Sequence, residues 1–220
     1  MFRLICLITG YVCGLFSTSV VLGKVFHFDV RKSGSGNAGT TNTLRTAGWK
    51  MGFLVLIGDA LKAVIPMLVL SYVLSSSGLL SPGLAKAYTG LGAILGHNYP
   101  FYSGFNGGKG IATGLGVAFA FHPLIGLCGM AVFSVPFFTL HYASLSSLLM
   151  TSVMYLLLAG SVYRRMEIVR FYNEAEALEV YVIFALIIFL AFIRHRTNLK
   201  KLASGEERRT YLHGSGTPKS

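Results

Sequence analysis

The sequence predicts an all-α integral membrane protein, a bundle of about seven transmembrane helices. The first observation is composition, since 53% of the 220 residues are hydrophobic and only 12% are charged. A soluble domain carries roughly 25% charged residues, so this chain does not have the composition of a soluble enzyme. The second observation is a series of apolar runs, at 4–23, 52–74, 84–96, 111–121, 124–140, 143–160 and 177–193.

The lengths of these runs set the number of crossings. The first, second and last runs approach the roughly 20 residues that a helix needs to cross a bilayer. The runs 111–121 and 124–140 predict a tight helical pair broken at His122-Pro123. Seven spans is the preferred count, and five is the alternative if the short runs do not cross. We expect one domain over residues 1–213 and a flexible tail over 214–220.

The basic residues predict the orientation. Most of the 19 lysines and arginines lie in three segments: between the first two runs, around Lys109, and from Arg194 onward. All three segments lie on one side if the N-terminus is outside, and the positive-inside rule makes that side cytoplasmic, together with the C-terminus. The charge flanks apolar runs, as membrane-proximal charge does, so no nucleic-acid partner is expected.

The first polar segment runs from Gly34 to Arg45 and is rich in glycine, serine, threonine and asparagine. Small residues let the backbone approach a ligand, and successive exposed N–H groups form an anion-binding concavity. Arg45 ends the segment with a fork suited to phosphate or carboxylate. The segment predicts an enzyme that binds a water-soluble anion at the edge of the lipid.

The second polar segment, from Gly96 to Thr113, contains Gly107-Gly108-Lys109-Gly110. It is not a Walker A loop, because Lys109 is not followed by serine or threonine. We nonetheless expect an anion site there, with a helix beginning near Ile111 and its positive end facing the loop. The third segment follows the last run directly, and a continuing helix would place His195 and Asn198 on one face.

Two pairs inside the apolar runs are also notable. Asp59 and Lys62 are three residues apart, and unpaired they would each cost several kcal/mol in the membrane. Either they pair with each other, or Asp59 orients Arg45 or Lys109. Ser144 and Ser147 either line the pocket or join helices. Glycine pairs that permit close helix packing occur at Gly10/Gly14, Gly92/Gly96 and Gly110/Gly114.

Together the three segments resemble the bacterial acyl-phosphate:glycerol-3-phosphate acyltransferase family (PlsY). The resemblance spans essentially the whole chain, and its motifs are Gly34-Ser35-Gly36-Asn37-x-Gly39-x-Thr41-Asn42-x-x-Arg45, Gly96-His97-x-x-Pro100 with Gly107-Gly108-Lys109-Gly110, and His195-Arg196-x-Asn198 with Gly205-Glu206. It implies transfer of a fatty acyl group from acyl phosphate to the 1-hydroxyl of glycerol 3-phosphate. The products would be lysophosphatidate and phosphate, in the first acylation step of phospholipid biosynthesis.

The resemblance also implies a setting and partners. The enzyme would lie in the bacterial inner membrane with its active site toward the cytoplasm. Its partners would be glycerol 3-phosphate, acyl phosphate, membrane lipid and the soluble enzyme that makes acyl phosphate. No cofactor and no metal are expected, and the sequence has no metal-ligand spacing.

The candidate site residues fall into three groups. We expect direct roles in the reaction for Ser35, Arg45, His195 and Asn198. The expected binding residues are Gly36, Asn37, Asn42, His97, Gly107, Gly108, Lys109, Gly110 and Ser144. The expected supporting residues are Asp59, Lys62, Ser147 and Glu206. The proton acceptor is open between His195, His97 and a substrate phosphate oxygen. The role of His141 is open, because the family has a basic arginine or lysine there.

Other function classes were weighed against this one. Acyltransferases that use His-x4-Asp are disfavoured, because none of the six histidines has aspartate five positions on. A small transporter of an organic phosphate is the alternative, but its polar groups would lie near the middle of the membrane, often in repeated halves. A scaffold without catalysis leaves the glycine-rich loops unexplained.

Overall fold

The computed structural model describes residues 1–164 and 171–212, and this part of the chain is helical without a strand. This confirms the all-α prediction, whereas the predicted tail 214–220 lies outside the described residues. A short 3₁₀ turn, Phe101–Ser103, lies between the fourth and fifth α-helices. The α-helices are α1 Phe2–Gly14, α2 Thr18–Val25, α3 Thr40–Ser76, α4 Pro82–Asn98, α5 Ile111–Phe121, α6 Pro123–Thr139, α7 Ala143–Tyr163, α8 Glu174–Arg194 and α9 Arg196–Ala203.

Four helical stretches in the described chain are long and apolar enough to cross a membrane. They are Phe2–Val25, Thr40–Ser76, Ala143–Tyr163 and Glu174–Arg194. The predicted break between α5 and α6 is confirmed at His122-Pro123, where Pro123 occupies the first turn of α6 and the His122 side chain accepts a hydrogen bond from the amide of Leu124. Proline is favoured there because the first-turn amide has no partner within the helix.

The apolar run 4–23 predicted one helix, but the structure divides it into two. α1 ends at Gly14 and α2 begins at Thr18. The carbonyls in the break accept hydrogen bonds from distant side chains: Leu15 from Tyr102 at 2.6 Å, and Phe16 from Lys62 at 2.7 Å. These side chains therefore pair two carbonyls that the break leaves without a helical partner, and an unpaired carbonyl at membrane depth would be costly.

α3 begins twelve residues before the predicted 52–74 run and contains a sharp kink. Gly48 has φ 85° and ψ 172°, a conformation essentially restricted to glycine. The kink separates residues 40–47 from the long apolar part of α3. Arg45 therefore lies on a short helical segment, whereas the sequence had predicted that it ends a loop.

Two of the three predicted glycine pairs hold α1 and α4 in close contact. A Cβ added at Gly10 would lie 2.1 Å from the Thr89 carbonyl oxygen, so only glycine permits this approach. The prediction is wrong for the third pair, since Gly110 precedes α5 and Gly114 meets its nearest atom at an ordinary 3.5 Å. The remaining glycines of the α1–α4 contact are Gly14, Gly92 and Gly96.

Apolar side chains cover the outside of the bundle as well as its inside. Tyr155, Met154 and Phe184 are fully buried between helices, and the Tyr155 hydroxyl donates to the Gly114 carbonyl at 3.2 Å. On α3, by contrast, large aliphatic side chains face outward, as lipid-facing residues do. Examples are Leu61, Ile65, Leu68 and Val69.

Candidate active site

The three polar segments meet around one open cavity of about 1120 Å³. One end is polar and the other is apolar, between α3, α5, α6 and α7. The predicted site residues on its walls are Ser35, Gly36, Asn37, Asn42, Arg45, Asp59, His97, Gly107, Lys109, Gly110, Ser144, Ser147, His195 and Asn198. The structure thus brings together residues that are up to 163 positions apart in the chain.

The first wall is the loop before α3, and Asn42 organises it. The Asn42 side-chain oxygen accepts from the Ser35 amide at 2.7 Å, and its NH₂ donates to the carbonyls of Val30 and Ser33 at 2.7 and 3.0 Å. Asn42 is 2% exposed, and its amide group makes its hydrogen bonds within the loop. We had expected Asn42 to bind substrate. In the structure it instead holds the exposed Ser35 at the cavity wall.

Arg45 contacts the segment that follows α9. Its Nε donates to the Thr210 hydroxyl at 2.9 Å, and one Nη donates to the Arg208 carbonyl at 3.1 Å. We call residues 205–212 the C-terminal strap. Thr210 is 1% exposed, and its amide donates to the His141 carbonyl at 2.8 Å.

His141 anchors this strap. It adopts a left-handed conformation with φ 62°, which is uncommon outside glycine, and its ring centroid lies 4.3 Å from that of Tyr211. The contacts of His141 are therefore with the strap. His141, whose role the sequence left open, thus helps to hold the strap that places Glu207 at the cavity wall.

The second wall is the glycine loop before α5, and its backbone is already hydrogen-bonded. The amides of Gly107 and Gly108 donate to the carbonyls of Asn98 and His97, each at 3.1 Å. The carbonyls of both glycines accept from Arg194, each at 2.8 Å. The amides of Gly107 and Gly108 are therefore not free to donate to a phosphate in this structure. The anion donors left on this wall are the Lys109 side chain and the start of α5.

A buried ion pair lies beneath this loop. The Lys62 Nζ donates to Asp59 Oδ1 at 2.9 Å, to the Phe16 carbonyl at 2.7 Å and to His97 Nδ1 at 2.6 Å. These three acceptors match the three hydrogens of an ammonium group. Asp59 also accepts from the Thr18 hydroxyl at 3.0 Å. Of the two sequence-based alternatives, the pairing of Asp59 with Lys62 is thus confirmed.

This pair determines which nitrogen of His97 carries hydrogen. Because Nδ1 accepts from Lys62, a neutral ring carries its hydrogen on Nε2. That edge packs against Gly108, where an added Cβ would lie 2.0 Å from Nε2. His97 therefore supports the loop and has no free ring nitrogen to take a proton from substrate.

The third wall begins at His195, which separates α8 from α9 with φ −100° and ψ 5°. The helix does not continue without interruption through His195 to Asn198, although the Leu199 amide still donates to the His195 carbonyl at 2.8 Å. His195 Nδ1 donates to the Ala191 carbonyl at 2.8 Å. Burial, with help from Lys109 and Arg194, lowers the pKa of His195 to about 4. The ring stays neutral near pH 7, and Nε2 remains an acceptor.

Lys109 and Asn198 are joined directly, and a carboxylate completes the group. The Lys109 ammonium donates to the Asn198 side-chain oxygen, and the Asn198 NH₂ donates to Glu207 Oε1 at 2.8 Å. Glu207 is 6% exposed, whereas Glu206 is exposed. The sequence-based choice of Glu206 as a supporting residue is therefore wrong by one position. The left-handed turn at Gly205, with φ 76°, directs the chain back toward the site.

The two serines of α7 differ in their hydroxyls. Ser147 Oγ donates to the carbonyl of Ala143 in its own helix at 2.6 Å. Ser144 Oγ is buried at the cavity wall and is unpaired among the described residues. A buried hydroxyl without a partner is costly. Ser144 is therefore the serine available to a ligand.

Three residues of the site were missed from the sequence: Arg194, Glu207 and Thr210. Arg194 clamps the glycine loop and stacks 5.1 Å from the Tyr99 ring centroid. Its signal was only a basic residue at the end of an apolar run, which is common in membrane proteins. Glu207 and Thr210 have no motif that distinguishes them from neighbouring polar residues. In the described chain, no cluster of three or more His, Cys, Asp or Glu residues is arranged to hold a metal.

The arrangement suits a ligand with an anionic head and an apolar tail. Arg45 and Lys109 face the polar end, where the Glu207 carboxylate acts on both as a counter-charge. The opposite end is lined by side chains from four helices, among them Leu56, Leu115, Phe133, Phe137 and Met150.

Known proteins match both the sequence and this architecture. The family model for glycerol-3-phosphate acyltransferase matches residues 4–205. A glycerol-3-phosphate acyltransferase of Alkaliphilus metalliredigens is 34% identical over 95% of this chain and 96% of its own length. One from Aquifex aeolicus is 38% identical over 95% of this chain and 100% of its own length.

Two solved structures share the fold. Both are crystal structures of PlsY, an integral membrane glycerol 3-phosphate acyltransferase, in a glycerol 3-phosphate form and a lysophosphatidic acid form. The first has a TM-score of 0.78 and 35% identity over 95% of this chain and 96% of that one. The second has a TM-score of 0.77 and 34% identity over 96% of each chain. The chain therefore belongs to the glycerol-3-phosphate acyltransferase family.

Proposed function

We propose that this protein transfers a fatty acyl group from acyl phosphate to the 1-hydroxyl of glycerol 3-phosphate, giving lysophosphatidate and phosphate. The observation that carries the proposal is the single cavity with Arg45 and Lys109 at one end and an apolar channel at the other. Acyl phosphate and lysophosphatidate each combine a phosphate with a fatty acyl chain, so one such cavity suits donor and product.

Phosphate binding is assigned to Arg45 and Lys109. Arg45 carries a permanent charge and a second Nη that takes no part in its contacts with Thr210 and Arg208. Lys109 stands at the start of α5, whose dipole favours an anion. The exposed Ser35 and the unpaired Ser144 hydroxyl would orient the two substrates, and Asn198 would hold the Lys109 ammonium. Gly36, Asn37 and Gly110 line the same end of the cavity, where the two glycines let the backbone approach a bound phosphate closely.

The chemistry requires one bond to form and one to break. The glycerol hydroxyl oxygen attacks the acyl carbonyl carbon, the bond from that carbon to the phosphate oxygen breaks, and the hydroxyl proton ends on the departing phosphate. His195 Nε2 would accept the hydrogen bond of the attacking hydroxyl and so orient it. Positioning and stabilisation of the oxyanion then supply most of the rate, and no covalent enzyme intermediate is required.

We further propose that residues 1–213 form one membrane-embedded domain with seven crossings. The N-terminus would be outside, and the C-terminus and the active site would face the cytoplasm of the bacterial inner membrane. The basic residues around the cavity support this orientation. Acyl phosphate would then arrive from the soluble enzyme that makes it, and lysophosphatidate would leave into membrane lipid.

The test is a donor comparison with purified protein in lipid. Glycerol 3-phosphate is incubated with acyl phosphate, acyl-CoA or acyl carrier protein in separate reactions. Lysophosphatidate formed from acyl phosphate alone supports the proposal. Product from acyl-CoA alone would contradict the donor, and phosphate flux into liposomes without any product would favour the transporter.

A further inference from the structure

Glu207 is the buried acid of the polar end, and its surroundings define its role. It lies on the C-terminal strap, 6% exposed, and accepts from the Asn198 amide at 2.8 Å. Two anchors hold the strap beside it: Arg45 donates to Thr210, and the Thr210 amide donates to the His141 carbonyl. The Glu207 carboxylate is therefore held directly by Asn198 and indirectly by the anchors at Thr210, three residues further along the strap.

Asn198 can adopt one amide orientation only between its two neighbours. A carboxylate accepts hydrogen bonds and cannot donate, so the Asn198 NH₂ must face Glu207. An ammonium group donates and cannot accept, so the Asn198 oxygen must face Lys109. The carboxylate thereby determines, through the amide, which atom receives the Lys109 ammonium.

We propose that Glu207 is a positioning residue for phosphate binding, whose carboxylate orients Asn198 so that the amide oxygen holds the Lys109 ammonium at the cavity wall. This inference rests on the proposed function, because it concerns the cation assigned to substrate phosphate. Glu207 does not itself touch the reacting atoms and acts through Asn198.

The charges around Lys109 lend independent support. Burial lowers the pKa of Lys109 most, the charges of Arg45, Arg194 and Lys201 also lower it, and Glu207 opposes them, so that the pKa lies at about 8. The neutral His195 also faces this group. Removal of the Glu207 charge therefore leaves Lys109 among cations with a larger neutral fraction at alkaline pH.

The first experiment measures Lys109 directly in the full-length protein. Trace labelling with acetic anhydride across pH, read peptide by peptide by mass spectrometry, gives the pH at which Lys109 becomes reactive. We expect the Glu207→Gln midpoint to lie about one pH unit below that of the unaltered protein. Glu206→Gln, a matched change at the exposed neighbour, is expected to leave the midpoint in place. Equal midpoints in all three proteins would overturn the proposal.

The second experiment separates positioning from a purely structural effect. In Glu207→Gln, kcat/KM for glycerol 3-phosphate should be within about threefold of the unaltered protein at about pH 6.5, and about tenfold lower at about pH 8.5. A loss of the same size at both pH values would refute the proposal, because it would report damage rather than titration.

A second variant keeps the test decisive if Glu207→Gln does not fold. Glu207→Asp retains the charge but withdraws it by one methylene, so its labelling midpoint should fall by less than one pH unit. An unchanged midpoint in this folded variant would overturn the proposal. If the unaltered protein made no lysophosphatidate, the proposed function would fail, while the labelling midpoints would still decide the role of Glu207.

Discussion

The Lys62 ammonium lies 2.6 Å from Nδ1 of His97, deep in the bundle beneath the glycine loop. This contact joins an intramembrane charge to the wall of the active site. Lys62 also pairs with Asp59 at 2.9 Å, so three groups hold one another in place. The His97 ring in turn supports Gly108.

Removal of Lys62 tests this link. Lys62→Met leaves the Asp59 carboxylate buried without its partner, and we expect a loss of about 3–5 kcal/mol in stability. The double variant Asp59→Asn with Lys62→Met should regain part of the melting temperature but not the activity, because His97 remains unsupported. Lys24→Met, at an exposed position, is the control. Equal recovery of stability and activity in the double variant would refute this role of Lys62.

Arg45 is predicted to bind phosphate through its charge while its Nε and one Nη hold the C-terminal strap. Arg45→Ala should cost about 2–5 kcal/mol in kcat/KM for glycerol 3-phosphate, as for a partly buried charge-assisted contact. Arg45→Lys should recover only part of this, since one ammonium group cannot contact the phosphate while also holding Thr210 and the Arg208 carbonyl as the planar guanidinium does. Lys32→Ala provides the control, with its side chain 85% exposed. Unchanged steady-state kinetics in Arg45→Ala would remove Arg45 from the site.

The pH profile should report Lys109. Lysine is charged below its pKa, and burial brings the pKa of Lys109 to about 8, so the phosphate-binding charge is present below that pH and lost above it. We expect kcat/KM for glycerol 3-phosphate to fall about tenfold from about pH 7.5 to about pH 9. Lys109→Arg should flatten this decline, because arginine stays charged, whereas Lys50→Arg should not. Persistence of the same decline in Lys109→Arg would assign it to another group.

His195 should determine the acid side of the pH profile of the turnover number. Its pKa of about 4, lowered by burial, keeps Nε2 free as an acceptor at any pH above that value. The turnover number should therefore stay level from about pH 7 to about pH 5 and fall only toward pH 4. His195→Ala should lower the turnover number by about 10²-fold or more. A turnover number that halves near pH 6.5 and depends on His195 would contradict a depressed pKa.

The Gly48 kink should control where Arg45 lies. An added Cβ at Gly48 meets no atom within 4 Å, so Gly48→Ala acts through backbone conformation alone. A residue forced into this region is strained by about 1–3 kcal/mol, and relief of the strain would displace residues 40–47. We expect a raised KM for glycerol 3-phosphate. Gly160→Ala, in α7 and equally uncrowded, is the matched control and should be neutral. Identical kinetics in the two variants would show that Arg45 does not depend on the kink.

Much of the helical bundle was predictable because its determinants are local. Apolar run length predicted where helices form, and Pro123 predicted the boundary between α5 and α6. The glycine pairs of α1 and α4 were visible as spacing, although their mutual contact was not. The three motifs also located the cavity walls, since each carries polar residues where an apolar run ends.

The sequence by itself thus determined that the chain is a helical membrane protein and which polar segments line the cavity. Only the tertiary structure decided which polar atoms remain available there. Local hydrogen bonds already occupy the amides of Gly107 and Gly108 and the side chain of Asn42. By contrast, Ser144 and Lys109 face the cavity. The tertiary structure also decided that Glu207 is buried whereas Glu206 is exposed, and that the first helix ends before Leu15. Such choices follow from which hydrogen bonds form in three dimensions, both within a loop and between segments far apart in the chain, and sequence spacing does not encode them.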